Sequence, residues 1–360
     1  MSVENIAPSP SGASNREDKS TSAARGSDYA DLSRRVRQAG LLDRRHDSYL
    51  RIAAFNTGLF AVGVALFFII GNSWWQLLTA AYFAIAFTQV AFLSHDAGHS
   101  QIFRTRRSND LVGLLHANLV IGLSYGWWVG KHNRHHSHPN QVGADPDITL
   151  PVLAFTGDQA RSKRGINRFI TSHQAYLFFP LLFLEAGQLH VASIKALLQG
   201  RVRRGWLEGA LLLAHVVIMT TALLLVLSPL RAVAFVLVQQ GLLGLYLGLS
   251  FAPNHKGMPM LEEGEQMDFL RRQVVTARNV RGGLVVDVLL GGLNYQIEHH
   301  LFPSMPRANL RHAQGLVRAF CAEHDLSYCE ESLFGSYGDM LRALHATGAP
   351  LRRRTLPAAT

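Results

Sequence analysis

The sequence predicts an all-α integral membrane protein, with four transmembrane helices in two hairpins, interfacial helices and a cytosolic helical cap. Three observations support this fold class. Charged residues make up 17% of the 360 residues, against about 25% in typical soluble domains. Two long apolar regions, 52–95 and 209–255, contain a single charged residue between them, Arg231. Histidines, which number 17, cluster at the ends of these regions and in the loops that follow them.

Each apolar region is long enough for two membrane crossings. As one helix, residues 52–95 would extend about 66 Å, roughly twice the hydrocarbon core of a bilayer. Gly71-Asn72-Ser73 and Ser228-Pro229 supply the turns that divide the two regions. We therefore expect spans at about 52–71, 75–94, 209–228 and 232–252.

Basic residues flank the predicted spans on one side of the membrane, whereas the two hairpin turns carry only Arg231. The flanking residues are Arg44, Arg45, Arg51, Arg104, Arg106, Arg107, Lys195, Arg201, Arg203 and Arg204. The positive-inside rule places both termini and a cap formed by residues 95–208 and 253–350 in the cytoplasm. The net charge of +10 lies largely beside apolar segments, which favours anionic lipid over nucleic acid as the partner.

The rest of the chain divides by composition. Residues 1–27 lack an apolar run and are predicted to form a disordered tail, residues 28–350 a membrane domain, and residues 351–360 a basic tail. Tyr29, Leu32 and Val36 recur at helical spacing among arginines, which predicts an amphipathic helix on the membrane surface. The stretches Leu111–Val129 and Ala175–Leu189 are interpreted as interfacial helices. The repeat of Leu310, Ala313, Leu316, Val317 and Phe320 predicts a cap helix.

Three histidine clusters and one further histidine, His255, are the candidate functional residues. The first cluster is His95 and His99, the second is His132, His135 and His136, and the third is His299 and His300. Histidines three and four apart share a helix face, so each cluster is able to aim its imidazoles at one point. Imidazole binds iron, zinc, copper and nickel, and this many histidines suit two ions better than one. The Leu111–Val129 stretch must not cross the membrane if all the clusters are to meet. The candidate ligands are His95, His99, His132, His135, His136, His255, His299 and His300.

Four carboxylates lie inside or close to the clusters: Asp96, Asp145, Asp147 and Glu298. Carboxylates in such positions accept the outer N–H of a ligating imidazole, which fixes its tautomer and raises its basicity. We expect this role for Asp96 and Glu298. For Asp145 and Asp147, ordinary solvated charge is an equal alternative.

The number of histidines also indicates which kind of metal site the chain forms. A hydrolytic zinc site needs three protein ligands and an open position, so eight imidazoles favour two redox-active irons that reduce O₂. A site at the membrane surface is suited to receive a hydrocarbon or acyl chain. The expected products are then an alkene or an alcohol.

The clusters resemble those of the membrane-bound fatty acid desaturases, particularly the actinomycete type. The matching segments are His95-Asp-Ala-Gly-His99, His132-Asn-Arg-His-His-Ser-His-Pro-Asn140, Asn294-Tyr-Gln-Ile-Glu-His-His-Leu-Phe-Pro303 and Gln273-Val-Val-Thr-Ala-Arg-Asn279. The resemblance implies a diiron centre, O₂ as the oxidant, a long-chain acyl substrate and electrons from a separate ferredoxin or flavin reductase. It also implies a multi-pass protein of the bacterial cytoplasmic membrane with its active site on the cytoplasmic side.

The resemblance further implies how the ligands divide. His95, His136, His255 and His300 would bind one iron, and His99, His132, His135 and His299 the other. Gln296 departs from the many desaturases with a ninth histidine at this position, although relatives that act between a double bond and the carboxyl end also carry Gln. Gln296 is therefore an uncertain ligand, and the position of the new double bond stays open.

Two other functions remain open alternatives. A diiron lipid hydroxylase would return oxygen to the same carbon, and a non-enzymatic zinc-binding membrane receptor would use the histidines differently. Trp127 and Trp128 either line the mouth of the site or anchor the interface. A group of arginines is a candidate for docking an acidic electron donor or for steering an acyl-CoA phosphate, namely Arg271, Arg272, Arg278 and Arg281.

Overall fold

A computed structural model describes residues 17–352, with side chains from residue 28 onwards. Residues 1–16 and 353–360, which make up much of the two predicted tails, lie outside the described residues. The first helix begins at Glu17, earlier than the sequence pattern indicates. The last helix ends at Arg352, so it includes the first two residues assigned to the basic tail.

The described chain is largely helical, which confirms the predicted fold class. Its first nine α-helices are α1 (Glu17–Gln38), α2 (His46–Ile70), α3 (Gln76–Gly98), α4 (Arg106–Leu114), α5 (Tyr125–Ser137), α6 (Gly157–Ser162), α7 (Gly165–Ser172), α8 (Gln174–Leu182) and α9 (Glu185–Leu198). The others are α10 (Gly205–Val226), α11 (Pro229–His255), α12 (Phe269–Val275), α13 (Leu284–Leu289), α14 (Gln296–Leu301), α15 (Arg307–Glu323) and α16 (Leu333–Arg352). Two short strands, β1 (Asn279–Arg281) and β2 (Glu330–Ser332), pair in parallel with Asn279 opposite Glu330.

Four helices are long and apolar enough to cross a membrane, namely α2, α3, α10 and α11, as predicted. Each extends beyond the predicted span at the end nearer the histidines, because the helix continues into residues that hydropathy alone excludes. α3 packs between α2 and α11, with Phe87 and Val90 against Leu243 and Leu247. α10 exposes most of its apolar surface, as expected of a helix that faces lipid.

The two stretches interpreted as interfacial helices are bent pairs in the structure. Residues 106–121 and α5 meet at 112°, and α8 and α9 meet at 70°. The first bend lies at Gly122, where φ is 86° and where an added Cβ would come within 2.7 Å of the His215 ring. The bend turns α5 back toward the end of α3. By length and composition alone, each bent pair would also pass as one span.

The cap is built around α15, whose predicted apolar face is buried. Leu32 and Val36 of α1 are fully buried against the same cluster as Val317 and Phe320. The prediction that this face of α1 lies on the membrane surface is therefore wrong. Both settings demand an apolar stripe at helical spacing, so the sequence pattern does not distinguish a membrane from a protein core.

Candidate metal centre

Four helices bring the histidines to one end of the bundle. His95 lies in the last turn of α3, His99 directly follows the end of this helix, and His255 is the last residue of α11. α5 carries the second cluster on one face, and α14 carries His299 and His300. Seven of the eight imidazoles are buried and His132 is half-buried. Both halves of the chain therefore supply candidate ligands, and the first bent pair does not separate the second cluster from the first.

The imidazoles form two groups of potential metal ligands. One ring nitrogen from each of His95, His99, His132 and His299 lies within 4.8 Å of the other three, and the same holds for His135, His255 and His300. His136 lies between the groups: its Nε2 is 3.1 Å from that of His132, and its ring stacks on His300 with centroids 4.1 Å apart.

The observed grouping differs from the expected one at two residues. His95 lies with His99, His132 and His299, its Nε2 3.2 Å from that of His132. His135 lies with His255 and His300 instead. His95 and His135 thus exchange groups, because a carboxylate behind each ring sets the direction in which its Nε2 points.

In the group of three, hydrogen bonds set the tautomers. His135 Nδ1 lies 3.0 Å from Asp145 Oδ1, His255 Nδ1 is 3.0 Å from Thr276 O, and His300 Nδ1 is 2.9 Å from Gln273 Oε1. These partners are acceptors, so each Nδ1 carries the hydrogen and each Nε2 a lone pair.

The three lone pairs point toward one another. His255 Nε2 lies 3.3 Å from His135 Nε2 and 3.1 Å from His300 Nε2, which is a repulsive contact without a cation. In the other group, both ring nitrogens of buried His299 and Nε2 of His99 lack a hydrogen-bond partner among the described residues. Converging, unpartnered imidazole nitrogens fit a pair of imidazole-bound metal ions.

The protonation state of the imidazoles also suits metal binding. Burial is the main cause that lowers the pKa of His99, His132, His136, His299 and His300. These rings are therefore neutral at physiological pH, and neutral imidazole is the form that binds a metal ion.

Asp145 and Asp147 occupy the space behind His135. Asp145 is fully buried and also accepts the backbone N–H of Asn140 and of Asp147, each at 2.8 Å. Asp147 lies 3.6 Å from His135 Nδ1 and forms an ion pair with Lys131. Burial would raise the pKa of Asp147, but the cations Lys131 and Lys256 lower it well below its ordinary value.

Asp96 and Glu298 have different surroundings. Asp96 Oδ1 is 3.4 Å from His95 Nδ1, and its other oxygen lies 2.7 Å from Arg307 Nη2. Glu298 accepts hydrogen bonds from Asn279 Nδ2 and the Tyr328 hydroxyl, each at 2.7 Å. The expectation that Glu298 holds an imidazole is therefore not met. Adjacent residues of a helix point about 100° apart, so the side chain of Glu298 is directed away from that of His299.

Gln296 borders the group of three histidines. Its Nε2 lies 2.9 Å from His255 Nε2, and its Oε1 accepts from Asn254 Nδ2 at 3.1 Å. In this orientation the amide N–H donates to His255, and the oxygen that would bind a metal points away.

Several residues that position the ligands have no role in the sequence-based prediction. Gln273 and Thr276 orient His300 and His255, although both lie in a segment that carries the family resemblance. Trp128 stacks on His132 with ring centroids 4.6 Å apart. For Trp128, unlike Gln273 and Thr276, the sequence already suggests a role, and this contact favours lining the site over anchoring the interface.

Glu208 is a further unpredicted residue, at the start of α10 and only 2% exposed. It accepts hydrogen bonds from Ser124 Oγ at 2.5 Å and from Gly126 N at 3.2 Å. It therefore holds the N-terminus of α5, the helix that carries the second histidine cluster, where a negative charge also complements the helix dipole.

Comparisons with known proteins agree with this site. Residues 72–332 match the family model of the fatty acid desaturases. The chain is 34% identical over 299 residues to an acyl-lipid (9-3)-desaturase of Physcomitrium patens, covering 80% of this chain and 56% of that protein. It is 33% identical over 285 residues to a delta(6)-fatty-acid desaturase of Caenorhabditis elegans, covering 75% and 64%.

A third relative, a delta(8)-fatty-acid desaturase of Helianthus annuus, is 28% identical over 348 residues, covering 92% of this chain and 75% of that protein. The chain thus spans between about half and three quarters of the length of these relatives. The family match covers the second apolar region and the first one from residue 72 onwards, and it includes every candidate histidine ligand. The chain belongs to the fatty acid desaturase family.

Proposed function

We propose that this protein is an O₂-dependent fatty acyl desaturase that introduces a cis double bond into a long-chain acyl group. The observation that carries the proposal is the convergence of eight imidazoles, seven in two groups with His136 between them, at one end of an apolar helical bundle. Membership of the desaturase family supports the same reaction.

The metal centre is proposed to hold two irons. One iron would be bound by His95, His99, His132 and His299, and the other by His135, His255 and His300. His136 lies between the two sets and would bind one of the two irons. Two bound irons would supply the reduction of O₂ to an oxidant able to remove hydrogen from an unactivated methylene. Gln296 is assigned to the edge of the second set, where its side-chain amide lies beside His255 Nε2; iron on that nitrogen would displace the amide N–H.

The protein's own part in the reaction is to hold the imidazoles and the acyl chain in fixed positions. Asp145, Thr276 and Gln273 hold three imidazoles in one tautomer and one orientation. The apolar bundle keeps the acyl chain at a fixed depth, because a shift of one methylene would change the product. We assign this role to side chains of the spans and of the bent pair that leads into α5.

The electron donor is proposed to be a separate ferredoxin or flavin reductase. Of the four arginines considered for docking, Arg278 is excluded: it is 1% exposed, pairs with Asp339 at 2.8 Å and donates to Lys256 O. Arg281 lies 3.7 Å from Glu330 Oε1 but is 66% exposed in its side chain, and we assign it to the docking of an acidic partner.

We also propose that the protein lies in the bacterial cytoplasmic membrane. Both termini, the cap and the active site would then lie on the cytoplasmic side. This proposal rests on the flanking basic residues and on the resemblance to actinomycete-type enzymes.

The test is mass spectrometry of fatty acid methyl esters, with double-bond location, from cells that express the wild type or a variant. We expect a new unsaturated product with the wild type and with His312→Ala, whose exposed side chain lies on α15, and no such product with His299→Ala. A gain of one oxygen would support the hydroxylase alternative. Purified protein that contains zinc without iron and consumes no O₂ with reductant would support the receptor alternative. Either result would overturn the proposal.

A further inference from the structure

Helix α13 exposes an apolar face although it belongs to the segment expected to form a cytosolic cap. Leu284, Val285, Val288 and Leu289 are 73%, 72%, 51% and 46% exposed. Asp287, on the other side of the helix, accepts a hydrogen bond from Asn294 and faces Arg311. In water, such a contiguous apolar patch is unfavourable, and it marks a contact with lipid or protein.

Contacts with two spans show the depth of α13. Gln89 Nε2 of α3 donates to Val288 O at 3.1 Å, and the Tyr246 hydroxyl of α11 donates to Leu289 O at 2.8 Å. Gln89 precedes His95 by six residues, or about 9 Å along the helix, and Tyr246 precedes His255 by nine, or about 13.5 Å. The end of α13 therefore lies beside the spans, deeper in the bundle than the histidines.

These two hydrogen bonds also fit a lipid environment. The last carbonyl groups of a helix have no partner within the helix, and in hydrocarbon no water is present to satisfy them. Here, side chains of the spans take the place of water. Ile85, one turn before Gln89 on the same face of α3, is 48% exposed, so the apolar face of α13 continues the lipid-facing surface of a span.

The connection from α13 to the metal centre is short. Six residues, 290–295, separate it from α14, which carries His299 and His300. Gly291 and Gly292 in this connection have φ of 61° and 78°, and a Cβ on Gly291 would come within 2.4 Å of the Phe92 ring. The lipid-facing surface thus leads directly to the third histidine cluster.

We propose that α13 lies in the hydrocarbon of the bilayer and forms the surface at which an acyl chain of a bilayer lipid enters the site. The insertion of α13 follows from its contacts alone, whereas its role in substrate entry rests on the proposed function. The substrate would accordingly be drawn from the bilayer and not from the cytosol.

Spin labelling tests the insertion without any measurement of activity. The full chain with Val285→Cys and Cys329→Ser would carry a nitroxide in phosphatidylcholine vesicles, since Cys321 is buried. We expect lipid-soluble O₂ to relax this label and a water-soluble nickel chelate to relax it at least fivefold less than a label at Asp158→Cys. Asp158 has a 91% exposed side chain, and Ile85→Cys serves as the lipid-facing control. A label at 285 that behaves like the label at 158 would overturn the insertion.

Surface-dilution kinetics test the entry. In mixed vesicles of substrate lipid and phosphatidylcholine, Val285→Asp should raise the apparent KM, expressed as mole fraction, about tenfold, with kcat and iron content unchanged. Val285→Ala is the matched control for size, and Val285→Ser replaces the Asp variant if that variant does not fold. An unchanged KM in a folded polar variant would refute the entry. A wild type that is inactive on every lipid would refute the proposed function and leave the spin-label result intact.

Discussion

The substitution Asp145→Asn tests how the protein holds its metal ligands. The wild-type carboxylate is fully buried and accepts three N–H groups, from His135 Nδ1 and from the backbone of Asn140 and Asp147. An asparagine keeps one acceptor oxygen and turns an NH₂ group toward at least one of these donors. One buried N–H then loses its partner, at a cost of about 1–3 kcal/mol.

The same substitution should also weaken the binding of the metal ion by His135. Without the carboxylate, His135 becomes less basic and its orientation less fixed, and the loss of such an outer partner typically lowers metal affinity about 10- to 100-fold. This corresponds to about 1.4–2.7 kcal/mol of binding free energy. We expect a loss in this range for one of the two irons.

The assay is anaerobic Fe(II) titration of the purified protein against a competing chelator. Asp158→Asn is the control, since Asp158 is exposed and contacts only Arg161 of α6. An Asp145→Asn protein whose two iron affinities both stay within about a factor of two of wild type would refute the role of Asp145 as the partner of a ligand.

Three further predictions concern the ligands and the helices that carry them. Replacing Glu208 with Ala leaves the Ser124 hydroxyl and the Gly126 N–H unpartnered and should lower the free energy of unfolding by about 2–4 kcal/mol, measured in denaturant; a loss below about 0.5 kcal/mol would contradict its role at α5. Gln296→His should change iron affinity or turnover because position 296 borders His255, and unchanged values would place this position outside the metal's surroundings. Burial lowers the pKa of His99, His132 and His299, so protons compete with iron only below the usual histidine range near pH 6.5. Iron affinity should therefore change little between pH 8 and pH 6.5, and a steep fall in that interval would show that the imidazoles titrate normally.

The prediction from sequence succeeded where a local pattern carries the signal. The spans follow from the absence of charge over lengths that match a bilayer, and the histidine clusters follow from spacing along a helix. The prediction failed where the same sequence pattern is compatible with two different environments. An apolar stripe on α1 suits a membrane surface or a protein core, and the structure buries Leu32 and Val36 in the cap. Arg278 looks like any surface arginine in the sequence, yet its partners Asp339 and Lys256 bury it.

Motifs along the chain were enough to identify the eight candidate histidines, the apolar spans near them and the family resemblance. The grouping of the imidazoles follows from the way distant helices pack. His135 faces His255 and His300, and His95 faces His132 and His299, because rings from helices distant in sequence converge and Asp96 and Asp145 set their directions. The direction of each ring depends on contacts between residues that are distant in sequence. Hydropathy and residue spacing describe only residues that are close together along the chain, so they do not predict these directions.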